Sequence, residues 1–136
     1  MALLEVKGIS KSFDGEVIIK DVSLKLKEGE IVALLGVSGS GKTTLFNIIS
    51  GLSKPDSGKI ILENEDITGV PGKVSYMLQK DLLLPYRNIV DNVALPLLIK
   101  GLPKSQARKQ AWELFEQFGL EGTQNKFPFQ LSGGMK

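Results

Sequence analysis

The front of the chain alternates between apolar and polar positions. Residues 2 to 9, "ALLEVKGI", 16 to 20, "EVIIK", and 22 to 27, "VSLKLK", follow a period of two, broken at Asp14-Gly15 and at Lys20-Asp21. That is the pattern of half-buried antiparallel strands separated by turns. Residues 30 to 35, "EIVALL", lose the alternation and become continuously apolar, which predicts a strand covered on both faces, as in a parallel sheet flanked by helices. A glycine-rich loop follows. "KTTLFNIISGL" then sets Leu45, Ile48, Ile49 and Leu52 at helical spacing, with Gly51 as the stop. Residues 58 to 63, "GKIILE", and 73 to 78, "KVSYML", predict two more strands on either side of the turn-rich "NEDITGVPG".

From Asn88 onward the period is helical. "NIVDNVALPLLIK" predicts a helix that Pro96 kinks or divides. "PKSQARKQAWELFEQF" predicts another, with Pro103 in its first turn and Ala107, Ala111, Leu114, Phe115 and Phe118 on one face. The expected class is α/β, with a β-rich front, an α/β middle and an α-helical back; no internal repeat or low-complexity segment interrupts it.

Composition narrows the chemistry. At 136 residues, 42% apolar and 24% charged, the chain is sized for one domain with a real core. Its net charge of +2 is scattered over 17 basic and 15 acidic residues, so no basic tract indicates a nucleic-acid partner. There is no cysteine for disulfides or thiolate metal sites, and no histidine to serve as base, ligand or pH switch. The longest apolar runs, Ile31 to Val37 and Val93 to Ile99, fall far short of the roughly 20 residues of a membrane-spanning helix. The N-terminal residues lack a secretion pattern, and a cytoplasmic location is expected.

"GVSGSGKT", Gly36 to Thr43, fits the phosphate-loop pattern of Gly, four residues, Gly, Lys, then Ser or Thr, and lies between a predicted strand and a predicted helix. Gly36, Gly39 and Gly41 permit unusual backbone angles with no Cβ in the way, so successive N–H groups, including those of Ser38 and Ser40, can converge on phosphate oxygens. The helix start adds partial positive charge. Lys42 would reach the β and γ phosphates, Thr43 would ligate Mg²⁺, and Thr44 would bond a phosphate oxygen. The plain alternative is an ordinary glycine-rich turn with a solvated lysine.

Three further stretches, "VSYMLQKD" with Gln79, "LLLPYRNIVDNV", and "FQLSGGMK" at 129 to 136, complete an ordered set. Together with Gly36 to Thr43 it resembles the ATP-binding cassette (ABC) family, the ATPase subunits of ABC transporters. The resemblance implies a P-loop NTPase core (31–54 and 73–80) with an antiparallel β part (1–30 and 55–72) and a helical part (81–136), incomplete at the C-terminus. It implies ATP and Mg²⁺ as ligands, with Phe13 stacking on adenine and Gln79 positioning Mg²⁺ and the attacking water. It implies that Leu131, Ser132, Gly133 and Gly134 form the signature that closes over ATP held by a second subunit, the two pairing head to tail. Transmembrane permease subunits would dock near 81–98, placing the protein peripherally on the inner face of the membrane. Taken singly, Phe13 could simply pack in a hairpin, Gln79 could be a surface residue, and Gly133-Gly134 a plain turn. Met135 stands where many members carry Gln, a variant similar to the nitrate, sulfonate or thiamine-precursor type of importer subunit.

Rival readings differ in specific residues. A small GTPase would need "DITG", Asp66 to Gly69, to follow a buried strand, and an Asp where "NKFP" carries Pro128. A soluble ABC-type ATPase of repair or translation shares every motif but usually inserts a long module between Gln79 and Ser132, and a non-catalytic nucleotide-binding fragment is the third class. In the family a later apolar strand ending Asp-Glu and a loop histidine supply metal ordering, general base and γ-phosphate sensing; these 136 residues contain neither. The expectation is therefore a truncated form that binds ATP without turnover. Its strands at 30–35 and 73–78 would have open edges, satisfied by self-association, by exchanged strands or by a missing half.

Overall fold

Asp14 and Gly15 both take positive φ, 50° and 83°, the two-residue turn whose twist suits a hairpin. It joins β1 (Ala2–Phe13) to β2 (Glu16–Lys27). In the computed structural model, which describes residues 2–136, each of these strands is longer than the alternation suggests because irregularities lie inside them. Val6 faces Leu24, Ile9 faces Val22 and Lys11 faces Ile19, so the register slips on each strand in turn. Gly8, at φ 58°, is the extra residue on β1, and its N–H donates to Ser23 Oγ at 2.9 Å. Asp21, at φ 49°, belongs to the slip on β2, and its N–H donates to Ser10 Oγ at 3.0 Å. Lys20-Asp21, expected as a turn, is thus a β-bulge whose displaced N–H is satisfied by a serine across the ladder.

β3 (Ser57–Leu62) pairs with the other edge of β1, and a turn at Glu63-Asn64 leads to β4 (Glu65–Asp66). The sheet is antiparallel, in the order β2-β1-β3-β4. Helix α1 (Lys42–Ile49) contributes Leu45, Ile48 and Ile49 to a core with Val6, Ile9 and Ile60; each such aliphatic burial stabilises by about 1.5–3 kcal/mol.

The "DITG" stretch is a structural turn. Asp66 Oδ1 accepts from the Thr68 N–H at 3.1 Å and the Thr68 hydroxyl at 2.6 Å, and Oδ2 pairs with Lys59 at 3.0 Å. These partners, Thr68 before Lys59, hold the Asp66 carboxyl down at about 2. Because the folded value lies below the unfolded one, the contribution is complete above the ordinary carboxylate range and fades as pH falls toward 2. The melting temperature of the Asp66→Asn variant is therefore expected to approach that of the parent between pH 4 and 2. A gap between the two curves that stays constant over that range would contradict this role.

Residues 30 to 35 and 73 to 78 are not strands. Among the described residues no ladder pairs with either segment, and a strand exists only through its hydrogen-bonded neighbour. Ile31 is 96% exposed and Leu35 90% exposed. Of 73 to 78, Val74 packs on the core and Tyr76 stacks on Phe46 of α1, ring centroids 6.3 Å apart.

Contacts divide the chain into units Met1–Met77 and Leu78–Lys136. The second is helical, with α2 (Ile89–Ile99) and α3 (Lys104–Gln117). The first turn of α2 is fully provided for: Asn88 Oδ1 accepts from the Asp91 N–H at 3.0 Å, while the N–H groups of Ile89 and Val90 donate to the carbonyls of Lys126 (2.8 Å) and Gln124 (2.9 Å). Pro96 does not divide α2, which runs on to Ile99; so near the end, the missing N–H removes one helical bond only. Gly101, at φ 90°, closes the helix, with bonds from its N–H to the Leu98 carbonyl (2.9 Å) and from the Leu102 N–H to the Leu97 carbonyl (3.0 Å), a Schellman arrangement. α3 follows Pro103, which sits at the N-cap. Ala107, Ala111 and Phe115 are buried with Val90 and Ala94 of α2, whereas Leu114 and Phe118 lie outside the seam.

Candidate nucleotide-binding site

The phosphate loop owes its shape to three glycines for three different reasons. A Cβ on Gly36 would stand 2.7 Å from Ser40 Oγ, which would have to rotate out of its bond with Lys42 Nζ. Gly39 has open surroundings but a φ of 81°, and so is limited by conformation. Gly41 is limited by conformation and by space: its φ is 85°, and a Cβ would lie 3.0 Å from the Ile18 carbonyl oxygen. Lys42 Nζ turns back into the loop and donates to the carbonyls of Gly36 and Val37, each at 2.7 Å, and to Ser40 Oγ at 3.2 Å. A full positive charge is thereby fixed within a curved run of backbone.

The start of α1 is left open. Gly41 is its N-cap, no side chain caps it, and no acidic residue lies in its first turn. The contrast with α2 is informative, since there a cap, two backbone carbonyls and Asp91 occupy the same positions. An uncapped helix start beside a captive ammonium suits an external polyanion. Thr43 is exposed there and Thr44 half-buried. A cavity of about 270 Å³ between the loop and β2 is lined by Gly36, Ser40, Gly41 and Lys42 together with the apolar side chains of Ile19, Val22 and Leu45.

Phe13 ends β1 and is 49% exposed. Lys11 Nζ lies 5.3 Å from the ring centroid. The hairpin that carries Phe13 also backs the loop, because Ile18 and Ile19 of β2 are the residues against Gly41. The unit Met1–Met77 thus holds both the loop and the aromatic ring.

The remaining sequence-derived residues belong to the other unit. Gln79 is exposed near its beginning. Leu131 is buried in the helical core. Ser132 precedes a single 3-10 turn, Gly133–Met135, without a side-chain capping bond, and the Met135 N–H donates to the Ser132 carbonyl at 3.1 Å. A Cβ on Gly133 or Gly134 would meet open space, and neither residue has positive φ. Folding alone therefore does not require glycine at either position.

Sequence reasoning missed two anchors. Asn92 holds the 84–88 connection: Oδ1 accepts from the Leu84 N–H at 2.7 Å, and Nδ2 donates to the carbonyls of Leu84, Arg87 and Asn88 at 3.2, 3.1 and 3.0 Å. Leu83 packs inward while Leu82 and Tyr86 remain outside. Asp56 is the other, bound to Lys11 Nζ at 2.8 Å and to the Ser12 N–H at 2.7 Å. Lys11 first, then Ser12, hold the Asp56 carboxyl below its ordinary range. No spacing rule singles out either residue.

A glycine loop gripping a lysine at an uncapped helix start defines a P-loop nucleotide-binding protein. Comparison with known proteins is more specific: the ABC transporter family model matches residues 19–136, and the chain belongs to that family. It is 40% identical to the spermidine/putrescine import ATP-binding protein PotA of Mycoplasma capricolum, over 98% of this chain and 39% of that protein. It is 39% identical to the taurine import ATP-binding protein TauB of Yersinia pestis, over 98% of this chain and 52% of that protein. A solved dimeric ATP-binding cassette in a post-hydrolysis state, bound to ADP and Pi, superposes with a TM-score of 0.79 at 33% identity, over 97% of this chain and 64% of that one. The fold is accordingly α/β, that of an ABC-type P-loop ATPase. The chain spans about half or less of the length of the curated relatives it matches.

Proposed function

We propose that the protein is the ATP-binding subunit of an ABC importer and that these 136 residues carry its nucleotide-binding half. The observation that carries the reading is Lys42 Nζ held inside the loop at the uncapped start of α1. Phosphates would be held by the backbone of Gly36, Ser38, Gly39, Ser40 and Gly41 with Lys42 and Thr44, and the base by Phe13. Among the described residues no group of three or more acidic, histidine or cysteine side chains could hold a metal. Thr43, exposed at the start of α1, is assigned to a Mg²⁺ ion that phosphate oxygens and water otherwise complete; Gln79 keeps the role that the family resemblance implies for it.

The domain reading is proposed with the same residues: 31–54 and 73–80 as the P-loop core part, 1–30 and 55–72 as the antiparallel part, and 81–136 as the helical part. A second subunit would pair head to tail, with its ATP meeting Leu131 to Gly134. The open space around Gly133 and Gly134 supports this, and Gly133→Val is expected to leave MgATP binding by its own chain unchanged. Permease subunits would dock at 81–98, where Leu82 and Tyr86 are exposed, placing the protein peripherally on the cytoplasmic face of the membrane. Among the described residues no helix is long and apolar enough to cross a membrane. The relatives named for import of polyamines and of taurine are almost equally similar, so similarity supports import without selecting a cargo.

The isolated 136 residues, which contain no histidine, should bind MgATP without steady turnover. Calorimetry with MgATP, run beside a phosphate-release assay, tests both halves of this statement. Binding without release is expected, whereas steady release that Lys42→Ala abolishes would contradict it.

A further inference from the structure

We propose that Lys11, held by Asp56, is a positioning residue for Phe13: it occupies one ring face and leaves the other for a single electron-rich purine base. The inference rests on the assignment of Phe13 to the base and adds what orients the ring.

Three bonds tie Asp56 to consecutive residues of β1. Its N–H donates to the Ser10 carbonyl at 2.9 Å, Oδ1 accepts from Lys11 Nζ at 2.8 Å, and Oδ2 accepts from the Ser12 N–H at 2.7 Å. The strand is thereby clamped up to the residue before Phe13. A lysine stem normally samples many rotamers, but this one is mostly covered, its side chain 17% exposed, while Asp56 remains 46% exposed. The ammonium consequently stays 5.3 Å from the Phe13 centroid. Phe13 itself is 49% exposed.

A cation over one face of a benzene ring is attracted to its negative quadrupole and draws electron density toward itself. The opposite face is then less negative, and an electron-rich base stacks on it with less repulsion. The clamp also removes ring motion that stacking would otherwise have to arrest. Both effects favour adenine over the smaller pyrimidines, and neither acts on phosphate.

The test uses the full chain and two probes, MgATP and Mg-tripolyphosphate, which keeps the phosphates and lacks a base. Lys11→Met is expected to weaken ATP binding about two- to fivefold, the range of a partly exposed cation–π contact. Tripolyphosphate binding should stay unchanged, the preference for ATP over CTP should shrink, and Lys11→Arg should restore most of the loss, since a guanidinium also stacks on a ring. Asp56→Asn, which keeps an acceptor for the Ser12 N–H at an exposed site, should reproduce the Lys11→Met pattern more weakly.

Equal losses for ATP and tripolyphosphate would mean that Lys11 acts on the phosphates or the fold, and would overturn the proposal. An unchanged ATP affinity in Lys11→Met, alongside a loss in Phe13→Ala, would overturn the positioning role alone. If Phe13→Ala leaves the ratio of ATP to tripolyphosphate affinity unaltered, the assignment of Phe13 to the base fails, and the role of Lys11 fails with it.

Discussion

Lys42→Ala is expected to weaken MgATP binding roughly ten- to a hundredfold while leaving the melting temperature within a few degrees of the parent. The two effects separate because the ammonium has two sets of partners. Toward the protein it donates to the Gly36 and Val37 carbonyls, and residues 31 to 40 are exposed throughout, so water can satisfy those carbonyls once the lysine is gone. Toward a triphosphate it supplies charge-assisted hydrogen bonds worth about 1.5–3 kcal/mol, and about 1.4 kcal/mol is tenfold in affinity. The loop glycines and the start of α1 would remain, so some binding should persist. Calorimetric titration with MgATP and a thermal melt of the same samples measure both quantities. Parent-like affinity would remove Lys42 from the site; a collapse in melting temperature would make it a folding residue instead.

The residues of this site were legible because the constraint on each is local. Gly39 and Gly41 have backbone angles that other residues rarely adopt, and a lysine directly after them has few places to go. Gly51, with φ 79°, marked the end of α1 for the same reason. The segments at 30–35 and 73–78 show the limit. A continuous apolar run states that burial is favourable on both faces, but strand formation depends on a neighbour that the run itself does not encode. The bulges at Gly8 and Asp21 leave a mark that a plain period of two passes over: the inward apolar step is three, not two, from Val6 to Ile9 and from Ile19 to Val22. Periodicity over-read α3 in a different way: it marks a broad apolar face, whereas the contact with α2 admits only the narrow row Ala107, Ala111 and Phe115. Lys11 and Asp56 lie 45 positions apart, and nothing in either neighbourhood announces the other.

Gly58 is where sheet and site depend on one another, and Gly58→Ala is expected to be among the most damaging single-methyl additions to this chain. Its φ is 92°, and a Cβ there would lie 2.5 Å from the carbonyl oxygens of both Lys7 and Gly8. Those are backbone atoms of the strand paired with β3, next to the bulge at Gly8, so no side-chain rotation can relieve the overlap. The unfavourable backbone angle alone costs about 1–2 kcal/mol, and prising β3 from β1 should add a further ~1–3 kcal/mol, the range for overpacking a well-filled interior. Gly15→Ala isolates the first contribution, because Gly15 has a similar φ of 83° and nothing within 4 Å of a Cβ. Melting temperatures of the two variants should therefore differ clearly, by about 4 °C for each kcal/mol, where the ranges for smaller and larger domains meet. Gly58 is also two residues from Asp56, whose three bonds hold the end of β1, so displacing β3 should loosen Phe13 as well. At temperatures where Gly58→Ala is still folded, it should lose ATP affinity while keeping that for tripolyphosphate. Equal melting temperatures for the two alanine variants would mean that the close approach of β3 to β1 is relaxed in solution, and the link between sheet packing and the base-binding end of the hairpin would fall with it.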